Sequence, residues 1–222
     1  MKQIALPIGV ESTRTFDTFV AGMNAAALEH LRALGAPAAP VYLWGPAGSG
    51  KTHLLRATAE RLRAQGGRVA WFEAAQALPW QPEANAALIV LDDCDALDAA
   101  QQHAAFALFV EAAGSGTPII AAGRVPPVDL PLREDLRTRL GWGHVFSIQP
   151  LSDAEARAAL RREADRRGLF LPDEVMDYLL TRFARDLKHL NRMLDALDAY
   201  ALLHKRAPTL PLLRRMLADD DA

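Results

Sequence analysis

Eight consecutive residues, Gly45-Pro46-Ala47-Gly48-Ser49-Gly50-Lys51-Thr52, have the types and order that bind phosphate. Three glycines let a short loop curl so that successive backbone N–H groups converge on anionic oxygens. A helix opening at Lys51 adds unpaired N–H groups and a favourable dipole. Lys51 supplies a point charge for β- and γ-phosphates, and the Thr52 hydroxyl is placed to ligate Mg²⁺. His53 follows in the same first turn. The apolar run at 41–44 and the helix-prone stretch from Lys51 to about Gln65 set the loop between a strand and a helix. That context separates a phosphate loop from a chance match, and it implies a bound nucleoside di- or triphosphate.

A second piece of chemistry lies further along. The aliphatic run Ala86-Ala87-Leu88-Ile89-Val90-Leu91 ends in Asp92-Asp93. An acid at the carboxyl end of a strand beside a phosphate loop can hold the Mg²⁺ shell, a role for Asp92, while Asp93 could orient an attacking water. The alternative is an acidic helix cap after a core strand. The single cysteine, Cys94, reads as a small buried thiol, and the six histidines show no metal-ligand spacing.

Alternating elements must position these groups. A helix is predicted over about 24–34, strands at 41–44, 68–73, 86–91, 117–124 and 144–148, and helices at about 51–65, 99–113 and 133–140. This pattern predicts an α/β fold, a five-stranded parallel sheet with helices on both faces. Beyond Pro150 the pattern is helical throughout, with Ser152-Asp153-Ala154-Glu155 as a capping box. The chain is therefore read as a tail (1–15), an α/β nucleotide-binding core (16–150) and a small all-α lid (151–222).

With 25 Lys+Arg against 27 Asp+Glu among 222 residues, the chain is not built to grip nucleic acid over its whole surface. Half the residues are hydrophobic, enough for a sizeable core. No secretory leader or membrane span is apparent, so a cytoplasmic protein with no membrane partner is expected. In the tail, Gln3, Leu6, Pro7 and Ile8 form an extended motif with protruding apolar side chains. From spacing alone it either docks into a partner's hydrophobic pocket or packs on the protein's own surface.

A phosphate loop, an acid-ended strand and a C-terminal helical lid together resemble an AAA+ ATPase module. FDTFV at 16–20, GPAGSGKTHLL at 45–55, LIVLDD at 88–93, TRLGWG at 138–143 and RDLKHLNRML at 185–194 are similar to the DnaA-related family. The resemblance covers about residues 14–205, and with no further DNA-gripping domain in view it points to the Hda group of regulators. It implies ADP or ATP with Mg²⁺ as cofactors, held by residues 45–53 and by Arg185, which matches a lid arginine that senses the nucleotide. It implies that Gln3, Leu6, Pro7 and Ile8 bind the β subunit sliding clamp of DNA polymerase III. It also implies that Arg139 is an arginine finger offered in trans to ATP bound by DnaA. From the residues alone, Arg139 could as well be a surface arginine paired with Glu134 or Asp135.

The activity so implied is negative regulation of replication initiation, by stimulating ATP hydrolysis in DnaA to leave inactive ADP-DnaA. Any contact with DNA is expected to be indirect or weak, and self-association stays open. Where AAA+ proteins usually place a polar side chain at the end of the fourth strand, this chain reads Ala121-Ala122-Gly123, with Arg124 the first polar residue. Its own hydrolysis is therefore expected to be weak. Two rival readings are an autonomous ATPase resembling a helicase loader or truncated initiator, and a passive clamp-binding adaptor.

Overall fold

Burial in the three central strands alternates face by face, because successive strand side chains point to opposite sides of the sheet. Val41, Leu43, Leu88, Val90, Ile120 and Ala122 pack on one face; Tyr42, Ile89, Leu91, Ile119 and Ala121 pack on the other. Both sets are buried, which is why these runs read as continuous apolar stretches. The computed structural model describes residues 14–82, 85–182 and 187–220.

The chain divides into two compact units, one of them Arg14–Pro150 and the other including Leu151–Ala222. In the first, β1 (Val41–Trp44), β2 (Arg68–Glu73), β3 (Ala86–Asp92), β4 (Ile119–Gly123) and β5 (His144–Ser147) form a parallel sheet of order β2-β3-β4-β1-β5. Helices α1 (Ala25–Ala33) and α2 (Lys51–Ala64) cover one face through Leu28, Leu31, Leu54 and Leu55. Helices α3 (Ala99–Ser115) and α4 (Glu134–Gly141) cover the other through Leu108, Phe109, Leu136 and Leu140. The expected α/β sheet with helices on both faces is thus the observed one. β4 is shorter than the predicted 117–124: Pro118 has no N–H, and the Thr117 N–H is taken by Ala112 O at 3.1 Å.

The second unit is helical: α5 (Asp153–Arg166), α6 (Asp173–Arg182), α7 (Leu187–His204) and α8 (Leu210–Asp220). The Ser152 hydroxyl accepts from the Glu155 N–H at 3.4 Å, and the Glu155 carboxylate accepts from the Ser152 N–H at 2.8 Å. This is the capping box expected from sequence, satisfying two helix-terminal donors. Leu160, Leu171, Val175, Leu179, Leu190, Leu194 and Leu213 form its core.

Candidate functional site

The phosphate loop joins β1 to α2, and its backbone matches its glycines. Gly48 and Gly50 have φ of +79° and +100°. Gly45 has φ +154°, and a Cβ there would lie 2.2 Å from the Ile148 carbonyl oxygen, so no side chain fits. The loop is tied by Ser49 N–H to Pro46 O at 3.3 Å, and α2 begins with Leu54 N–H to Gly50 O at 3.0 Å.

Lys51 Nζ donates to Gly45 O at 2.8 Å and Pro46 O at 2.9 Å. Burial holds this amine below its ordinary pKa, against the opposing pull of Asp92, Asp95 and Asp93. Ser49 is buried, and its Oγ has no hydrogen-bond partner among the described residues. A desolvated ammonium with a third donor to place, beside an orphaned hydroxyl in a loop of left-handed glycines, fits a phosphate group. Gly45 to Thr52 therefore fit the nucleotide that the loop implies, with Pro46 and Ala47 at the exposed turn.

Asp92 is the last residue of β3 and only 3% exposed. Burial pushes its carboxyl pKa up, while hydrogen bonds from the Thr52 hydroxyl and the Asp93 N–H act the other way. Thr52 and Asp92, predicted as metal ligands, are thus brought together. Among the described residues no three His, Cys, Asp or Glu side chains cluster to hold a metal. One hydroxyl and one buried carboxylate fit Mg²⁺, which keeps several waters and phosphate oxygens in its shell. Asp93 is exposed and heads a one-turn 3-10 helix at 94–96 with φ +52°, without capping it through its side chain. A left-handed non-glycine costs on the order of 1 kcal/mol, a strain that functional sites tend to carry. The Cys94 thiol is fully buried and pushed up by burial, which leaves it inert.

The ring of His53, a candidate ligand, lies against the N-terminal segment: Nε2 is 2.8 Å from Thr15 O and 3.3 Å from Thr18 Oγ1. It meets the Phe19 ring edge-on at 5.4 Å, and burial lowers its pKa. Phe19 in turn comes within 2.8 Å of where a Gly50 Cβ would be. The stretch 15–19 therefore flanks the start of α2, a placement that its composition alone did not reveal. Sequence reasoning also missed Asp95, whose carboxylate accepts from the Arg124 N–H at 3.0 Å.

Arg139 lies in the last turn of α4, half-buried; its carbonyl accepts from the Trp142 N–H, and its side chain has no hydrogen bond or ion pair among the described residues. Asp135, its alternative partner, is held by Arg133 at 2.6 Å instead. Two glycines bracket the exposed Trp142, which is 70% accessible. At Gly143 a Cβ would lie 2.0 Å from Pro40 O, where the chain turns into β5 with His144 N–H on that same oxygen. Gln3, Leu6, Pro7, Ile8 and Arg185 lie outside the described residues.

Comparison with known proteins follows this division. Residues 10–79 match the family model of the bacterial DnaA ATPase domain, and residues 153–217 that of the Hda lid domain. Domain III of DnaA from Thermotoga maritima superposes with a TM-score of 0.79 at 21% identity, covering 94% of this chain and 97% of that one. A DNA replication initiation factor gives a TM-score of 0.68 at 22% identity, covering 84% of this chain, which spans 64% of that factor's length. AMPPCP-bound DnaA from Aquifex aeolicus gives 0.69 at 23% identity, covering 86% of this chain and 66% of that one. The structural likeness establishes the fold, and the two family matches sit at its two ends. The chain thus joins a segment similar to the bacterial DnaA ATPase domain to a lid similar to that of Hda.

Proposed function

We propose that this chain is a nucleotide-binding regulator of the DnaA pathway that completes the ATPase site of a DnaA partner with Arg139. The observation that carries this reading is the state of Arg139. It is held at the end of a short helix, half-buried, and its guanidinium is free of any carboxylate among the described residues while Arg133 occupies Asp135. A guanidinium so placed can reach a neighbour's γ-phosphate and stabilise the charge that develops there, an effect of about 10³–10⁵ in rate. The exposed Trp142 beside it offers apolar area for the same partner. The result would be ADP-DnaA and restraint of re-initiation.

In the chain's own pocket, residues 45–52 would hold ADP or ATP, with Thr52 and Asp92 on Mg²⁺. Bound Mg-nucleotide supplies charge that ties the loop after β1 to the acid ending β3. Lys51 binds phosphate, the loop N–H groups orient it, and the buried Asp92 draws in the cation. Arg185 as a lid contact, and Gln3, Leu6, Pro7 and Ile8 as the docking motif for the sliding clamp, rest on the sequence resemblance. Any DNA contact would then pass through the clamp.

ATP hydrolysis by DnaA, measured with DNA-loaded clamp and with or without this chain, tests the proposal. The intact chain should raise turnover, and Arg139→Ala should abolish the increase while leaving nucleotide and clamp binding unchanged. Normal stimulation by that variant would refute the mechanism. One observation favours a second reading, an autonomous ATPase: Asp93 is exposed beside the buried Asp92, where it could orient a water. That reading requires steady turnover by the purified chain alone, lost in Asp93→Asn.

A further inference from the structure

One group of cations in the helical unit stands outside its ion pairs. On α6, Asp173 and Asp177 are taken by Arg161 and Arg157 of α5. Tyr178 of α6 instead has two guanidiniums over its ring. That of Arg182 is 5.9 Å from the ring centroid, and that of Arg214, from α8, is 5.6 Å away. Both arginines are exposed, and neither meets a carboxylate among the described residues. Glu174, the remaining acid of α6, lies about two turns from Arg182.

A ring face attracts a guanidinium through its quadrupole and leaves the N–H edges pointing outward. Two like charges gathered at one ring repel each other, a cost that a bound anion would remove. The chain between α7 and α8 adds to this charge. Positions 205–215 hold four basic residues, Lys205, Arg206, Arg214 and Arg215, and no acid. Lys205 and Arg206 are exposed where the chain turns back, with the Arg206 N–H on Ala201 O at 3.0 Å. Arg215 lies beside the Tyr200 hydroxyl, which donates to Asp219.

The face between α6 and α8 has charge but no apolar anchor. None of the exposed large apolar side chains lies on either helix, and the exposed Leu202 and Leu203 belong to α7. A docked peptide draws most of its binding energy from buried aromatic or aliphatic side chains, so charge without anchors suits a polyanion. Nor is there an open ring on which an unstacked base could lie, since Tyr178 is half-buried and already covered. A duplex backbone needs neither anchor nor ring, and it presents one charge per ~1.7 Å of axis whatever its sequence.

We propose that the α6–α8 face, centred on Arg182 and Arg214, binds the phosphate backbone of duplex DNA directly and without regard to sequence. Each guanidinium offers a fork of N–H donors that matches phosphate oxygens, and Lys205 and Arg206 extend the positive surface as point charges. The contact is weak by itself and adds to the one that passes through the clamp. It goes beyond the Arg139 reading and does not depend on it.

Fluorescence anisotropy of a labelled random-sequence duplex, titrated with the full chain from about 50 to 200 mM salt without clamp or DnaA, tests it. Affinity should fall as salt rises. Arg182→Gln and Arg214→Gln together should weaken binding about tenfold at the lower salt and flatten the log–log slope by roughly two. The loss should be alike for duplexes of different sequence. Arg182→Lys with Arg214→Lys keeps the charge and should keep the slope. Arg63→Gln removes the same charge from an exposed pair in the other unit and should leave binding unchanged. No salt-dependent binding by the intact chain, or equal binding by the glutamine variant, would overturn the proposal. So would tighter binding of a single strand, or of a polyglutamate of equal charge, either of which would assign the face to another partner. With clamp and DnaA absent, failure here leaves the Arg139 reading standing, and Arg139→Ala should bind the duplex as the intact chain does.

Discussion

Between Arg14 and Pro150 the charges that matter most are desolvated and unpaired, whereas from Leu151 onward those that fasten the fold are neutralised in ion pairs, most of them on the surface. In the first unit Asp92 is 3% exposed and sits on a sheet whose inner strands are apolar on both faces. Lys51 is partly buried on its own loop, and Asp93 holds a left-handed backbone. In the helical unit Arg157 meets Asp177, Arg161 meets Asp173, and Arg166 and Arg167 both meet Glu163. Each of the more open pairs contributes about 0–1 kcal/mol, Glu163 and Arg167 are more shielded at 18% and 13% exposed, and the core beneath them is apolar. The α/β unit thus carries strain and desolvated charge where it would bind nucleotide, while the helical unit satisfies its polar groups locally. Functional sites are commonly built at such a cost to stability.

The largest effects should be the same in both units, since both have close-packed cores. Leu43→Ala in β1 and Leu194→Ala in α7, each fully buried, should lose about 2–5 kcal/mol of stability in denaturant titration. A loss below about 1 kcal/mol at Leu194 would show that the helical unit is loosely packed and break the comparison.

Charge removal should separate the units by sign. Asp92→Asn keeps an oxygen for the Asp93 N–H but no longer buries a carboxylate, and should raise stability by about 1 kcal/mol while weakening Mg²⁺-dependent nucleotide binding. Glu163→Gln should instead lower stability by about 1–3 kcal/mol, because that shielded carboxylate accepts from Arg166 and Arg167. If both changes stabilise, the distinction drawn here is wrong.

Acid should act on the two units in different windows. His30 is held below its ordinary value by burial and then by His144, whose ring is 4.2 Å away. His53 is lowered by burial. The unfolded chain therefore binds these protons first, and their share of stability is lost as pH falls below about 6.5. Asp92, raised by burial, works in the opposite direction, gaining as it protonates. Glu163 is lowered by Arg166 and Arg167, so its contribution is present above the ordinary carboxylate pKa and disappears only as pH falls below it. Denaturant titrations at pH 7.5 and 5.5 should show the α/β unit losing stability. His30→Phe should flatten that loss, since the His30 Nε2 has no partner to forfeit among the described residues.

Smaller effects test the shared helix chemistry. Asp98 and Ser152 each head a capping box, with Gln101 and Glu155 as their partners. Either residue changed to Ala should cost about 1 kcal/mol, and Arg166→Ala should change stability by less than about 0.5 kcal/mol. A cap effect confined to one unit would show that the other helix is held by packing alone.

Local features were readable from sequence because they depend on neighbours along the chain. The phosphate loop follows from glycine spacing and a helix start, and the observed left-handed Gly48 and Gly50 are where that spacing puts them. The strand at 41–44 and that at 68–73 appear with the predicted bounds. The Ser152–Glu155 box was equally plain, since it closes over three residues. These patterns, with the alternation of strands and helices, sufficed for the α/β class.

Other facts needed strand order and register. Arg124 and Asp95 are 29 residues apart and meet only because β4 is laid between β3 and β1. His53 reaches Thr15 across 38 residues, and Gly143 is required by the carbonyl of Pro40. Sequence left Arg139 with two carboxylates in reach; the folded helix gives Asp135 to Arg133 and leaves Arg139 without a partner among the described residues. Hydrophobic period and turn residues determine which elements form, since they act within a few residues of chain. Which side chains meet across those elements is decided by packing, where a shift of one strand position turns every side chain to the other face.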